Sequence, residues 1–335
     1  MSRFARRRAL ATFEVRQQLR EPLTALYALV FLLLTVGFTS AGGVELVSGR
    51  GEVPRTSDWS IWLAFGGLTA FGQVITTMVA VTALLRDDAT RMTDLIATAG
   101  VPAREWLVSR LGAAFAVLML VYLAMPVGAG VGAWLGAGPG GELLATPSPV
   151  VRRIGTAYLV LTVPTMCVVA TLLGVTAALT RRVLAALAVA LLLVGLWQLA
   201  LALEARETTR VAGALLDPFG NAPVLAVTHG WDATARRLTP VPLGGLVVAN
   251  RLVWLGISGL VGAIGIWRVR WPVGDERGAS PVPAREASDA SHVVATGPTS
   301  ALTSAPQASV HGQTSPFAAM SRFTAAWIRR DGGWR

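Results

Sequence analysis

Six stretches of this 335-residue chain are each long and apolar enough to cross a lipid bilayer, and they limit the fold more than any other feature. A spanning helix takes about 20 apolar residues, because hydrocarbon leaves every backbone N–H and C=O to be satisfied inside the segment. The stretches run from Leu23 to Ser40, Ile61 to Leu85, Leu107 to Leu135, Ile154 to Leu179, Val183 to Leu203 and Leu243 to Trp267. The pattern predicts an all-α, polytopic integral membrane protein with six transmembrane helices. The third stretch carries Pro126, Gly128, Gly130 and Gly132 in its second half, which predicts a kink or a re-entrant turn there. The first follows about 20 basic, polar-rich residues and lacks a small-residue cleavage site, so it reads as a retained span and not as a cleaved signal.

Hydrophobic residues make up 53% of the chain and charged ones only 14%, which excludes an ordinary soluble domain. The net charge of +10 is carried by Arg alone, since the chain has no Lys. A chain this basic invites a nucleic-acid reading, and the positions of the arginines argue against it. Arg3, Arg6, Arg7, Arg8, Arg16, Arg20, Arg86, Arg91, Arg104, Arg110, Arg181, Arg182, Arg268 and Arg270 fall on one side of the expected membrane. Fewer arginines, spread over longer loops, fall on the other. Basic loops are retained on the cytoplasmic side, so both termini are expected in the cytoplasm, facing anionic lipid, with no nucleic acid required. The single cysteine, Cys167, sits in an apolar run and reads as a small core residue.

Between the second and third stretches lies RDDATRMTDLIATAG, residues 86 to 100. Asp87 or Asp88 suits a helix N-cap, Met92, Leu95 and Ile96 recur at helical spacing, Gly100 suits the position after the helix, and Pro102 opens the next one. The expectation is a short amphipathic helix, anchored through Met92, Leu95 and Ile96. It either rests on lipid headgroups or presents Asp88, Arg91 and Asp94 to a cytoplasmic partner.

This arrangement resembles the permease subunit of type-2 ATP-binding-cassette (ABC) transporters: a basic N-terminal segment ending at Pro22, a span, an outer loop, a second span, then RDDATRMTDLIATAGVPAREWLVSR. The matching loop residues are Arg86, Asp88, Thr93, Leu95, Thr98 and Arg104. A second stretch, Asp217 to Leu255, is similar to the outer segment and last span of a subgroup whose members can carry a second six-span half and a zinc aminopeptidase domain. There the matches are Asp217, Pro218, Phe219, Gly220, Trp231, Asn250 and Arg251. The subgroup's acidic residue and Asn after the Trp are replaced here by Ala235, Arg236 and Arg237. The resemblance implies a permease, of exporter type, powered by a separate ATPase subunit. That subunit would dock on residues 88 to 99 and on the basic N-terminal segment. It also implies a second permease half, identical or separate, to complete the pathway.

The residues themselves exclude other chemistries. A phosphate-binding loop of the GxxxxGK[ST] type needs a Lys, and HExxH needs histidines that His229, His292 and His311 do not supply. Gly130, Gly132 and Gly136 follow no strand and do not form a dinucleotide fingerprint. No catalytic residue, metal site or cofactor is expected. A non-transporting membrane scaffold that recruits a cytoplasmic partner is the alternative reading. Arg251, inside the last apolar run, has three possible arrangements: snorkelling to outer headgroups, pairing with Asp217 or Glu204, or meeting an anionic substrate. Gln73, Thr76, Thr77 and Gln198 are expected to hydrogen-bond between helices. Residues 272 to 316 are rich in Pro, Ala, Ser, Thr and Gly and read as a disordered linker. Residues 317 to 335 turn apolar and basic again, and their MSRF repeats the opening of the chain, as the start of a second half would.

Overall fold

The computed structural model describes residues 3–40, 44–45, 52–90, 92–136 and 147–271. The expected linker and C-terminal segment, and Arg91 of the loop, lie outside them. Helix α1 (Arg3–Arg20) leads into α2 (Pro22–Ser40), and a two-residue antiparallel ladder pairs Val44–Glu45 with Glu52–Val53. Then come α3 (Asp58–Phe71), α4 (Gln73–Ala89), the short α5 (Thr93–Thr98), α6 (Ala103–Tyr122), α7 (Ala124–Gly136) and α8 (Pro147–Ala157). A π-helical turn (Tyr158–Thr162) joins α8 to α9 (Val163–Thr180). The chain continues through α10 (Val183–Glu204), the short α11 (Arg210–Leu216), α12 (Asn221–Val227) and α13 (Ala233–Leu238), and α14 (Leu246–Arg268). Five helical stretches are long and apolar enough to cross a membrane, and six if the bent pair α3–α4 counts as one span. The chain is an all-α, multi-pass membrane protein.

The sharp bend lies in the second span and not in the third. Helices α3 and α4 meet at 44°, whereas Ala103–Gly136 passes as one stretch. Gly72 stands at the bend in ordinary right-handed geometry, so its value is space: a Cβ there would lie 2.5 Å from the Phe31 ring and collide with the Tyr122 hydroxyl. The glycines of the third span serve close packing instead. Gly128, Gly132 and Gly136 bring α7 against α2 so closely that a Cβ on Gly132 would sit 2.5 Å from the Val36 carbonyl oxygen and strike Thr39. Thr35 and Thr39, on the facing side of α2, donate their hydroxyls to Phe31 O and Thr35 O, each at 2.7 Å, so neither needs water. Gly132→Leu is expected to cost about 1–3 kcal/mol or more through overpacking, while Gly130→Leu, where a Cβ meets open space, stays near parental stability. Melting of the two purified variants in detergent checks this.

The core gathers Phe31, Trp62, Phe65, Leu118, Tyr122, Met125 and Leu161 from α2, α3, α6, α7 and the π turn. Its polar members are paired: the Tyr122 hydroxyl meets Thr76 Oγ1 at 2.9 Å, and Thr69 donates to Phe65 O at 2.6 Å. The π turn has a local cause. Pro164 has no N–H to give, and Val163 N–H reaches back five residues to Tyr158 O.

Candidate functional site

Two polar clusters occupy opposite ends of the bundle. The first lies where α4 ends and α6 begins. Asp87, buried on the last turn of α4, accepts both contacts from Arg110 Nη2, at 2.6 and 2.7 Å, and a third from Trp106 Nε1 at 2.8 Å. Arg110 also pairs with Glu14 of α1, and Arg86 pairs with Glu14 as well. Gln18, one turn further along α1, donates to Glu14 Oε1 at 2.8 Å. Two carboxylates thus balance two guanidiniums, tying α1, α4 and α6 together at the membrane end that carries most arginines. Helix α1 accordingly turns polar Glu14 and Gln18 inward and leaves Phe13 and Leu19 exposed.

The loop helix α5 hangs from this cluster. The cap expected at Asp87 or Asp88 is absent, because α4 runs on to Ala89 and α5 starts only at Thr93. Asp87 contributes its carbonyl to Met92 N–H at 2.8 Å, and Asp88 accepts the Thr93 hydroxyl and pairs with Arg181. Asp88 therefore fastens α5 to the turn between α9 and α10, where Arg181 takes a left-handed backbone (φ 55°). Gly100 closes α5 with φ 72°, and Pro102 precedes α6 as its cap residue, its carbonyl accepting Glu105 N–H at 2.9 Å. The anchoring differs from the sequence expectation. Ile96 packs with Val101 against Trp106, Leu107 and Val269, whereas Met92 and Leu95 point away, 45% and 61% exposed. Asp94, Thr98 and Arg104 are exposed beside them. Trp271, past the last span, donates to Val101 O at 2.7 Å and stacks 5.4 Å from Trp106, bracing the loop from a third direction.

The second cluster is built on the Asp217–Gly220 turn between α11 and α12. Asp217, fully buried, accepts Phe219 N–H at 2.7 Å and Ala222 N–H at 2.6 Å, fixing the turn and capping α12. Burial pushes its carboxyl above the ordinary aspartate value, opposed by those two N–H groups and by the Arg251 charge. Asn250 of α14 donates its amide nitrogen to the carbonyls of Ala214 (2.7 Å), Asp217 (2.8 Å) and Leu215 (3.3 Å). Its amide oxygen accepts from Arg251 Nε at 2.9 Å and from Nη2, while Arg251 Nη1 donates to Thr165 Oγ1 of α9 at 2.8 Å. Of the three arrangements open to Arg251, snorkelling is excluded: the residue is 5% exposed and turned into the bundle. Gly220 adopts φ 95°, and a Cβ there would lie 2.8 Å from both Arg251 Nη2 and Leu161. Pro218 and Phe219 are buried, Phe219 against Trp197 at 5.8 Å. Trp231 stands in the turn before α13, its N–H on Thr228 O at 3.1 Å, and none of the cluster's hydrogen bonds reaches it.

Glu14 and Asp87 are the functional-cluster residues that the sequence pattern did not single out. The signal was present at Glu14, the sole acidic residue among the first 20. Among the described residues no group of His, Cys, Asp or Glu could hold a metal ion. Compared with family models, with curated proteins and with solved structures, the chain matches none. What the fold and its clusters define is a multi-pass, all-α membrane protein with a rigidly mounted loop helix at its Arg-rich end.

Proposed function

We propose that this chain is the permease subunit of an ABC exporter in the bacterial cytoplasmic membrane, driven by a separate ATPase subunit and working as one of two permease halves. One observation carries the reading. Helix α5 exposes Met92 and Leu95 while its other side is fastened to four separate elements, through Ile96, Asp88, Arg181 and Trp271. An exposed apolar pair on a mobile loop would serve recruitment alone. Mounted this way, a push on α5 passes directly into α4 and α6 and into the turn between α9 and α10. That is what a motor subunit acting from the cytoplasm requires. The arginine bias supports the orientation, since Arg104, Arg181, Arg182 and Arg268 all lie at the same end as α5.

The test is co-purification from native membranes through a tag on this chain, with ATP turnover read in the captured complex. Leu95→Asp is expected to reduce the captured ATPase at least tenfold, because it sets a carboxylate in the contact's apolar centre. The melting behaviour of the chain itself should be unchanged, since Leu95 supports nothing in its own fold. Absence of any ATP-hydrolysing subunit with the parent chain, or full capture by Leu95→Asp, overturns the proposal.

A further inference from the structure

Helix α10 is the least buried of the spans, with 17% of its apolar window covered against 56% for the stretch Pro149–Thr180. Its covered side is a narrow seam of Ala186, Leu193 and Ala200, seven residues apart. The opposite side repeats a second seam at alternating steps of four and three: Leu184, Ala188, Leu191, Gly195, Gln198 and Ala202, all exposed. That is the spacing of a helix–helix seam, with small residues at alternate positions where two backbones draw close. A Cβ on Gly195 would meet nothing within 4 Å, so the space in front of it is open.

Gln198 gives this seam its meaning. It lies six residues, about 9 Å, from the Glu204 end of α10, farther than its side chain reaches, so its amide lies within the hydrocarbon. Among the described residues it has no hydrogen-bond partner. The other two amides within spans are satisfied, Gln73 on Ala190 O and Asn250 on three carbonyls. The exposed faces of α2 and α14 carry no amide at all. An amide facing lipid is costly, and its donor and acceptor are both met by another amide turned the opposite way. A second copy of the same helix, related by a two-fold axis, presents that group at the same depth.

We infer that two copies of this chain pair through α10 along the Leu184–Ala202 seam, with the Gln198 amides hydrogen-bonded to each other across the axis. This rests on the two-half reading above and specifies it: the second half is an identical chain, and α10 is where the halves meet. One polar pair in an otherwise apolar seam also fixes the register of the helices.

The test uses the full chain in native-like vesicles, without an ATPase subunit, so that failure of docking at α5 and failure of pairing at α10 are read separately. Cys167 is first replaced by Ala, and single cysteines are placed at Ala188, Leu191 and Ala202 on the seam and at Leu192 and Val194 off it. Oxidation should give a product of twice the chain mass at the three seam positions, with yields at least fivefold lower off the seam. Gln198→Leu should weaken dimerisation, followed by energy transfer between labelled chains, by about 3- to 20-fold, while Gln198→Asn keeps most of it. A flat crosslinking pattern along α10, a crosslinked product containing a different polypeptide, or unchanged pairing in Gln198→Leu would falsify the inference.

Discussion

Arg110→Leu is expected to lower the stability of the purified chain by about 3–5 kcal/mol, because it leaves buried carboxylates on both sides without their counter-charge. Asp87 would keep only the Trp106 N–H, and Glu14 would keep Arg86 and Gln18. The loss should fall on the attachment of α1 first, so limited proteolysis should release the N-terminal segment before the rest of the bundle opens. Arg110→Lys retains the charge but not the fork that meets Asp87 and Glu14 together, and an intermediate loss is expected. Equal melting of Arg110→Leu and parent would show that the ion cluster does not hold α1 in place.

Asn250→Leu should cost a comparable amount, about 3–6 kcal/mol, for a different reason. It strands the carbonyls of Ala214, Leu215 and Asp217 in a site that water does not reach, and it takes from Arg251 the acceptor of two of its donors. Asn250→Asp separates the two halves of that argument. It restores an acceptor for Arg251 but sets a carboxylate against three carbonyl oxygens, so it should do as much harm as Leu. If Asn250→Asp melts like the parent, the amide nitrogen is not what secures the turn. Both variants are compared by thermal melting in detergent.

The apolar runs announced the architecture because hydrocarbon permits so few backbone solutions. Every span falls within a few residues of its expected limits. The bend was harder to place. Pro126 and the nearby glycines carry the usual signs of a kink, yet there they lie against α2, while the bend occurs at Gly72, whose need for space depends on Phe31 and Tyr122, residues 41 and 50 positions away. The loop helix was legible as a helix from its period and from Gly100. Its orientation was not, because a period of three and four residues fixes a face without saying whether protein or solvent lies against it. Arg251 shows the same limit. The sequence marked it as a charge inside a span, but its partners Asn250 and Thr165 become visible only once α9 and α14 lie side by side.

The π turn at Tyr158–Thr162 has a consequence for the fourth span as a whole. One residue more than an α-helix would use advances everything after it by about 100° around the axis. The span is therefore two rods set out of phase. The first directs Val150, Ile154 and Ala157 into the central core, and the second directs Thr165 toward Arg251. Removing one residue from the turn would regularise the helix and swing Thr165 away from the guanidinium, so the polar knot on the far side of the bundle depends on a single irregular turn in a helix that carries none of its charges.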